Sequence, residues 1–416
     1  MTEKPFDFME GLTKKELIEL DSCTRCNECL AWCPVQDVTD DRDASPPARI
    51  HAYKDFVERT HTLKGKLFSS GKVTAEELKS FKDSLWKCAL CGTCGEVCTV
   101  GIDTKKLWWS VRRKLKESEV GCPEPLEKGP LQNYHKFRSP FPFPLGGKYK
   151  IWLPDDIELA DKAEIGYYEG CGCTWDSPQM AEGAVRLLSS VGPFTMLDPD
   201  QSWCCGFPQL TGSGEWSIMA ELVNHMVKAI ADKGIKRFVI SCPMCLDIVK
   251  YLWPYFYGEE LPFEPLAVVE LLAEWAEEGK LKFTKQIEET VTYHDPCAMA
   301  RPFMGKPIID APRKLLGAIP GIKLVDMDRH GKLSRCCGGA GGMRAVNSDV
   351  SANIAKELFL EAKRTGADTM LTNCPPCYLN LATRTHAAPN SMVEEWRNYE
   401  DPLKINDITQ YLAALL

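Results

Sequence analysis

From about residue 161 onward, hydrophobic positions follow two alternating periods. IGYY, beginning at Ile165, and FVIS, beginning at Phe238, are short apolar runs of the kind that strands buried on both faces require. Between them, IMAELVNHMVKAIADKG sets Ile218, Leu222, Met226 and Ile230 on one stripe at helical spacing and stops at Gly234. Further on, NIAKELFLEAKRTG does the same with Ile354, Leu358 and Ala362. Short strands separated by amphipathic helices predict an α/β layer around a parallel sheet, with ligands gathering at the strand ends. The first part of the chain reads differently. Thr13 with Glu16, and Thr74 with Glu77 at the head of TAEELKSFKDSLW, form capping boxes. This region is therefore expected to be mainly α-helical.

TKKLWWSVRRKLKE brings Leu107, Trp108, Val111 and Leu115 close to one helical face and carries Lys105, Lys106, Arg112, Arg113, Lys114 and Lys116. An ordinary amphipathic helix with a solvated basic face is expected, in preference to a docking surface for a membrane partner or anionic headgroups. Residues 123–154 then hold seven of the 28 prolines, which predicts an extended connector laid over the surface. LAVVELLAEWAEE is apolar but interrupted by acids, and reads as a surface helix. The expected organisation is a helical domain over 1–121, a proline-rich linker over 122–160, and two α/β domains over 161–280 and 281–416.

The two α/β domains are copies of one another. Cys204, Cys205, Cys242 and Cys245 recur 132 residues later as Cys336, Cys337, Cys374 and Cys377, and Cys171 recurs as Cys297. EIGYYEGC parallels TVTYHDPC, SWCCGF parallels SRCCGG, and RFVISCPMCL parallels TMLTNCPPCY.

Composition changes the picture only through cysteine. Hydrophobic content of 44% and charged content of 26% are ordinary for a folded globular protein. A net charge of −8 argues against nucleic acid as the main partner. No run approaches the length of a membrane span, and MTEKPFDFMEGLTKKEL has no apolar stretch behind a basic start, so neither a span nor a signal peptide is expected. A cytoplasmic location follows. There, 20 cysteines in 416 residues point to metal or redox chemistry, not to disulfides.

Cys23, Cys26, Cys29 and Cys33 follow C-x2-C-x2-C-x3-C with Pro34 behind them, and Cys88, Cys91, Cys94 and Cys98 repeat the spacing with Thr99 in place of proline. Three thiolates two residues apart let a tight loop wrap one face of a cubane, and the fourth cysteine reaches the other cluster. The spacing predicts one [4Fe-4S] cubane on Cys23, Cys26, Cys29 and Cys98, and a second on Cys88, Cys91, Cys94 and Cys33. Zinc takes its ligands as separated pairs and does not match runs of four. The region resembles the α-helical ferredoxin type that accompanies respiratory reductases.

In the repeats, neighbouring residues cannot both face one metal without a turn, so Cys204–Cys205 and Cys336–Cys337 suggest ligands to different irons. Gly206, Gly338 and Gly339 follow at once and are expected to let the backbone approach a bulky inorganic body. C-x32-CCG-x35-C-P-M-C and C-x38-CCG-x35-C-P-P-C resemble the cysteine-rich CCG domains of heterodisulfide reductase. The octet followed by two such domains resembles the D-type iron–sulfur subunit of that enzyme over nearly the whole chain. It is also similar to subunits of sulfate-reducer membrane complexes, which often lose cysteines in one copy; here both copies are complete.

The resemblance implies a noncubane [4Fe-4S] cluster on Cys171, Cys204, Cys205, Cys242 and Cys245, and another on Cys297, Cys336, Cys337, Cys374 and Cys377. These ten would be active-site ligands, leaving Cys122 and Cys173 as free thiols. GCGC offers both Cys171 and Cys173 for one position, and Cys171 is the expected ligand. The implied reaction is reductive cleavage of the mixed disulfide of coenzyme M and coenzyme B, with the cubanes as the wire. A membrane cytochrome b-type or other redox subunit would be the partner, and the chain would attach to the membrane through it, in an anaerobe. The alternative is an electron-transfer subunit linking a cytochrome or dehydrogenase to a quinone or other acceptor; two intact cysteine sets favour the reductase.

GGAGG after Cys337 is no dinucleotide fingerprint, since no G-x-G-x-x-G follows a strand there, and its glycines are expected to make room for the cluster. No flavin or nicotinamide motif is visible. His294, Asp295 and Arg301 are expected to form a strand-end hydrogen-bond network, in preference to a proton donor or an anion site.

Overall fold

The computed structural model describes residues 6–68, 72–145, 152–384 and 403–416. Helices fill the first part, and both capping boxes start one. Thr13 Oγ1 accepts from Glu16 N at 3.2 Å while the Glu16 carboxylate accepts from Thr13 N at 2.7 Å, opening helix Lys14–Asp21. Thr74 and Glu77 do the same for Ala75–Trp86. With Pro46–His61, whose N-cap is Ser45, these helices bury Tyr53, Phe56, Phe81 and Trp86 around Trp108.

The basic helix Thr104–Lys116 keeps a partly solvated face along Lys106 and Arg113, but, contrary to expectation, two of its cations are buried. Lys105 and Arg112 are buried together with Leu107, Trp108, Trp109, Val111 and Leu115. Trp109 packs on Trp216 and Phe303, so both repeats press on this helix from the side opposite the helical domain. Spacing alone could not reveal this, because the helix has two apolar neighbours and its charges are used between them. The four remaining cations are all engaged: Lys106 with Asp103, Arg113 with Glu117, Lys116 with Glu127, and Lys114 with the carbonyl of Glu10.

The proline-rich stretch also departs from the extended connector. Residues Glu124–Leu126, Glu127–Leu131 and Gln132–Phe137 form one continuous helical stretch. Pro125 falls in its first turn, where no N–H is needed, and Pro130 sits in a widened π turn that relieves the clash with the preceding carbonyl. Its own Leu126, Leu131 and Tyr134 are buried. Residues 146–151 of the proline-rich stretch lie outside the described residues.

Two four-stranded parallel sheets follow. The first holds β1 (Ile165–Tyr168), β2 (Thr195–Met196), β3 (Arg237–Ile240) and β4 (Glu264–Ala267), in the order β2-β1-β3-β4. The second holds β5 (Glu289–Tyr293), β6 (Ile322–Leu324), β7 (Thr369–Thr372) and β8 (Lys404–Asp407), in the matching order β6-β5-β7-β8. Equivalent registers recur: Tyr167 lies opposite Val239, and Tyr293 opposite Leu371. Each sheet switches direction between its two central strands, which opens a crevice at their carboxyl ends.

The repeats pack with reciprocal contacts. Helix Pro178–Ser189, after β1, lies against the last helix Ile408–Ala413, and helix Asp310–Gly317, after β5, lies against Val268–Glu277, after β4. Gly183 has no room for a side chain, since a Cβ would stand 2.5 Å from Gln410 N. The acid-interrupted segment around Val268 is consequently an interface helix, with Val269, Leu271, Leu272 and Trp275 buried, and not a surface one. Its acids occupy the narrow strip that the second neighbour leaves open.

Candidate metal centres

The two ferredoxin-type loops share an unusual backbone. Arg25 and Asn27, between the first three cysteines, have φ of 60° and 63°; Leu90 and Gly92, at the equivalent positions of the second loop, have 53° and 77°. A left-handed conformation costs a residue with a Cβ about 1–2 kcal/mol, so its repetition at matched positions points to a shared load on both loops. Successive turns of this kind direct backbone N–H groups to one side, as an anionic body requires.

The cysteines gather in crossed sets. Cys23, Cys26, Cys29 and Cys98 line one small cavity, which Cys94 also borders, and Cys33, Cys88, Cys91 and Cys94 line another. Arg49 and Lys105 reach the second cavity as buried cations. Thr99, where proline would stand, puts Oγ1 3.7 Å from Cys26 Sγ.

In the repeats the cysteines follow the carboxyl ends of three strands, around the switch points. Cys171 follows β1 and Cys242 follows β3, and the Cys204–Cys205 pair follows β2. Cys205 and Cys245 thiols are 3.0 Å apart, and the free thiols of Cys171 and Cys204 interact. The second copy is similar, with the free thiols of Cys336, Cys337, Cys377 and Cys374 interacting in that order. Cys297 lies near Cys337. The sets also approach one another: the free thiols of Cys91 and Cys336 interact, as do those of Cys242 and Cys374. Helical octet, second repeat and first repeat thus form a line.

A cavity of about 420 Å³ opens at the end of that line. Cys171, Cys205, Cys242 and Cys245 wall one side, Gly339, Ala340, Gly341 and Gly342 the other, and Phe141, Phe207 and Met244 add apolar surface. Arg344 brings a cation to the wall, 3.7 Å from Asp176. Cys173 is buried outside this wall, and Cys122 is bonded to Glu127 away from the other thiols.

The donor set suits iron–sulfur clusters. Burial pushes the thiols of Cys29 and Cys33 up to about 11 and raises Cys94, Cys204 and Cys374 well above the ordinary range. The hydrogen bond from Cys336 holds Cys91 down at about 5. Thiols so crowded share their protons and cannot all ionise by themselves, whereas bound iron supplies the positive charge that lets them.

The glycines behind the cysteine pairs are also tightly packed. Gly206 (φ 93°) and Gly338 (φ 75°) turn the chain tightly against the following helices, where a Cβ would meet Met219 Sδ at 2.5 Å and Ser351 O at 2.7 Å. Their freedom serves packing of the backbone, and the N–H groups of Gly338 and Gly339 also face the Cys336 and Cys337 sulfurs at 3.2 and 3.3 Å. Gly341 (φ 65°) abuts the second ferredoxin loop, with its Cβ position 2.8 Å from the Ala89 backbone.

The expected hydrogen-bond network forms around Asp295 and Arg301. Asp295 accepts a bidentate pair from Arg313 at 2.7 and 2.9 Å and a bond from Gly331 N. Arg301 donates to Cys91 O at 2.7 Å and to Ser334 Oγ. His294 stands outside it, its ring nitrogens bonded to no nitrogen or oxygen among the described residues. Arg49, Arg344 and Phe141 carry no local signal of a site; only the tertiary fold brings them to the thiols.

These features define an iron–sulfur protein built from a dicluster ferredoxin unit and two cysteine-rich repeats. Family matches agree: a 4Fe-4S dicluster domain over residues 19–102 and a cysteine-rich domain over 165–250 and 291–382. The chain is 36% identical to the D subunit of a dihydromethanophenazine:CoB–CoM heterodisulfide reductase from Methanosarcina mazei, across 93% of this chain and 94% of the relative. It is 37% identical to the corresponding D subunit from Methanosarcina acetivorans, across 89% and 90%. The protein belongs to this family of heterodisulfide reductase D subunits, which are iron–sulfur oxidoreductases. A crystal structure of a hypothetical protein from Helicobacter pylori shares the fold at TM-score 0.55 and 8% identity, across 97% of this chain and 73% of that one. Among the described residues no helix is long and apolar enough to cross a membrane.

Proposed function

We propose that this chain reduces a disulfide of the coenzyme M/coenzyme B type as the iron–sulfur subunit of a redox complex. The observation that carries this reading is the 420 Å³ cavity, since it opens directly on four cysteines of the first repeat. Cys23, Cys26, Cys29 and Cys98 would hold one cubane, and Cys88, Cys91, Cys94 and Cys33 the other. Cys171, Cys204, Cys205, Cys242 and Cys245 would hold one noncubane cluster; Cys297, Cys336, Cys337, Cys374 and Cys377 the second. When bound, the clusters supply single electrons and iron sites with affinity for sulfur.

The chain's own residues do the rest. The Cys91–Cys336 and Cys242–Cys374 contacts keep successive sets adjacent. The apolar wall excludes water from the S–S bond, and Arg344 offers a charge-assisted bond to an anionic arm of the substrate. The overall change is RS–SR′ + 2e⁻ + 2H⁺ → RSH + R′SH, with electrons from a membrane cytochrome b-type or other redox subunit. The chain itself would lie in the cytoplasm, held at the membrane through that partner.

The test is anaerobic turnover with a reduced viologen and the mixed disulfide. Two thiols formed for each two electrons consumed support the reading. Dye oxidation only with a quinone, and none with the disulfide, would favour an electron-transfer subunit instead.

A further inference from the structure

His294 directly follows β5, within the strand-end motif YHDPC, and it is 1% exposed. Its backbone is fully engaged: the N–H donates to Leu371 O at 2.8 Å, and the carbonyl accepts from Thr372 Oγ1. The ring is not. Neither Nδ1 nor Nε2 is hydrogen-bonded to a nitrogen or oxygen atom among the described residues. An imidazole always carries at least one donor, and buried polar groups nearly always find a partner.

What the ring faces is the second cysteine set. A ring nitrogen of His294 and the thiol sulfurs of Cys337 and Cys377 lie within 4.8 Å of one another. The first repeat is built differently at this point. There the equivalent residue is Tyr168, whose hydroxyl donates to Trp203 O at 2.8 Å and is spent on the protein. The repeats therefore match in their cysteines and differ in the polar group at this position.

We infer that His294 donates an N–H···S hydrogen bond to the iron–sulfur cluster of the second repeat, and so makes the two repeat clusters unequal. Hydrogen bonds to cluster sulfur favour the reduced, more negative form and raise its potential. The second cluster, nearer the octet, is then the easier of the two to reduce.

This inference rests on the proposed pair of repeat clusters, and its test separates the two. The full chain, or its complex, is titrated potentiometrically with detection by electron paramagnetic resonance, in the wild type, His294→Phe and His294→Gln. The expected result is a lower midpoint for one repeat cluster in His294→Phe, largely restored in His294→Gln, with iron content and both cubane midpoints unchanged. Four clusters present and no midpoint moved would overturn the inference while leaving the clusters in place; a wild type without repeat clusters would overturn the reading beneath it. Should His294→Phe fail to fold, pulsed resonance on wild type labelled with ¹⁵N-histidine decides. A weak histidine nitrogen coupling on a repeat-cluster signal is expected, and its absence, or the strong coupling of a direct iron–nitrogen bond, would overturn the donor role.

Discussion

Arg301 Nε lies 2.7 Å from the carbonyl oxygen of Cys91 and so bonds the second repeat to the middle of the second ferredoxin loop. The same guanidinium reaches Lys332 O and Ser334 Oγ, and Lys105 caps the Arg301 carbonyl at 2.7 Å. Arg301→Met would leave these acceptors buried without a donor, at a cost of about 2–3 kcal/mol. It should also slow electron transfer from the octet to the repeats. Chemical denaturation and rapid-mixing reduction check the two effects; wild-type values in both would show that this contact neither supports the fold nor carries the alignment.

Arg49 predicts an electrostatic effect. It is 1% exposed and lines the cavity of Cys33, Cys88, Cys91 and Cys94. Burial acts against its charge, but Cys88, Cys33 and Cys94 outweigh that and raise its pKa. A unit charge about 7 Å away at an effective dielectric of about 20 is worth about 2 kcal/mol. In a one-electron couple this is about 100 mV. Arg49→Met should lower one cubane midpoint by about that amount and leave the other, whose Cys26 is exposed to solvent, nearly unchanged. Potentiometric titration of both cubanes checks this, and equal shifts in the two would contradict it.

Much of this site can be read from spacing, because the cysteine octet and both repeat sets are local patterns with fixed register. Cys171 and Cys173 share the GCGC segment, and only the fold separates the one on the cavity wall from the one buried behind it. The strands at Ile165 and Phe238 and the helix stripe of Leu222, Met226 and Ile230 are equally local. Burial of Lys105 and Arg112 is not legible, since their acceptors come from distant segments: Arg112 Nη1 bonds Gly341 O, 229 residues away. The helical course through Pro130 depends on a widened turn that composition does not signal.

Arg344 should act on substrate binding, not on the clusters. A charge-assisted bond lost from the cavity wall costs about 1.5–3 kcal/mol. Arg344→Met should therefore raise KM for an anionic disulfide at least about tenfold, with kcat and iron content near wild type. An uncharged disulfide should be almost unaffected. Steady-state kinetics with both substrates check this, and equal losses for the two would remove Arg344 from recognition.

Asp407 predicts a pH dependence. Burial pushes its carboxyl up to about 7, against partial relief from Thr409 and Gln410. Oδ1 accepts from Thr409 N at 2.8 Å and Gln410 N at 3.1 Å, while Oδ2 has no partner among the described residues. The folded state holds a proton that the unfolded chain releases near pH 4, about the ordinary aspartate value. Stability from this group is thus complete below about pH 4, falls as pH rises towards 7, and is flat above. The full drop is on the order of 2–4 kcal/mol. Asp407→Asn keeps the helix cap and removes the ionisation, so its denaturation midpoint should vary less between about pH 5 and 8 and exceed wild type at the upper end.

The claim that a substrate disulfide meets a cluster at the first repeat is tested most directly by electron paramagnetic resonance of the oxidised, anaerobically purified protein, with and without coenzyme M. A new paramagnetic species that appears only with thiol, and broadens when the thiol carries ³³S, is the predicted result. Absence of any thiol-dependent signal, in protein whose cubanes still reduce with dithionite, would contradict it.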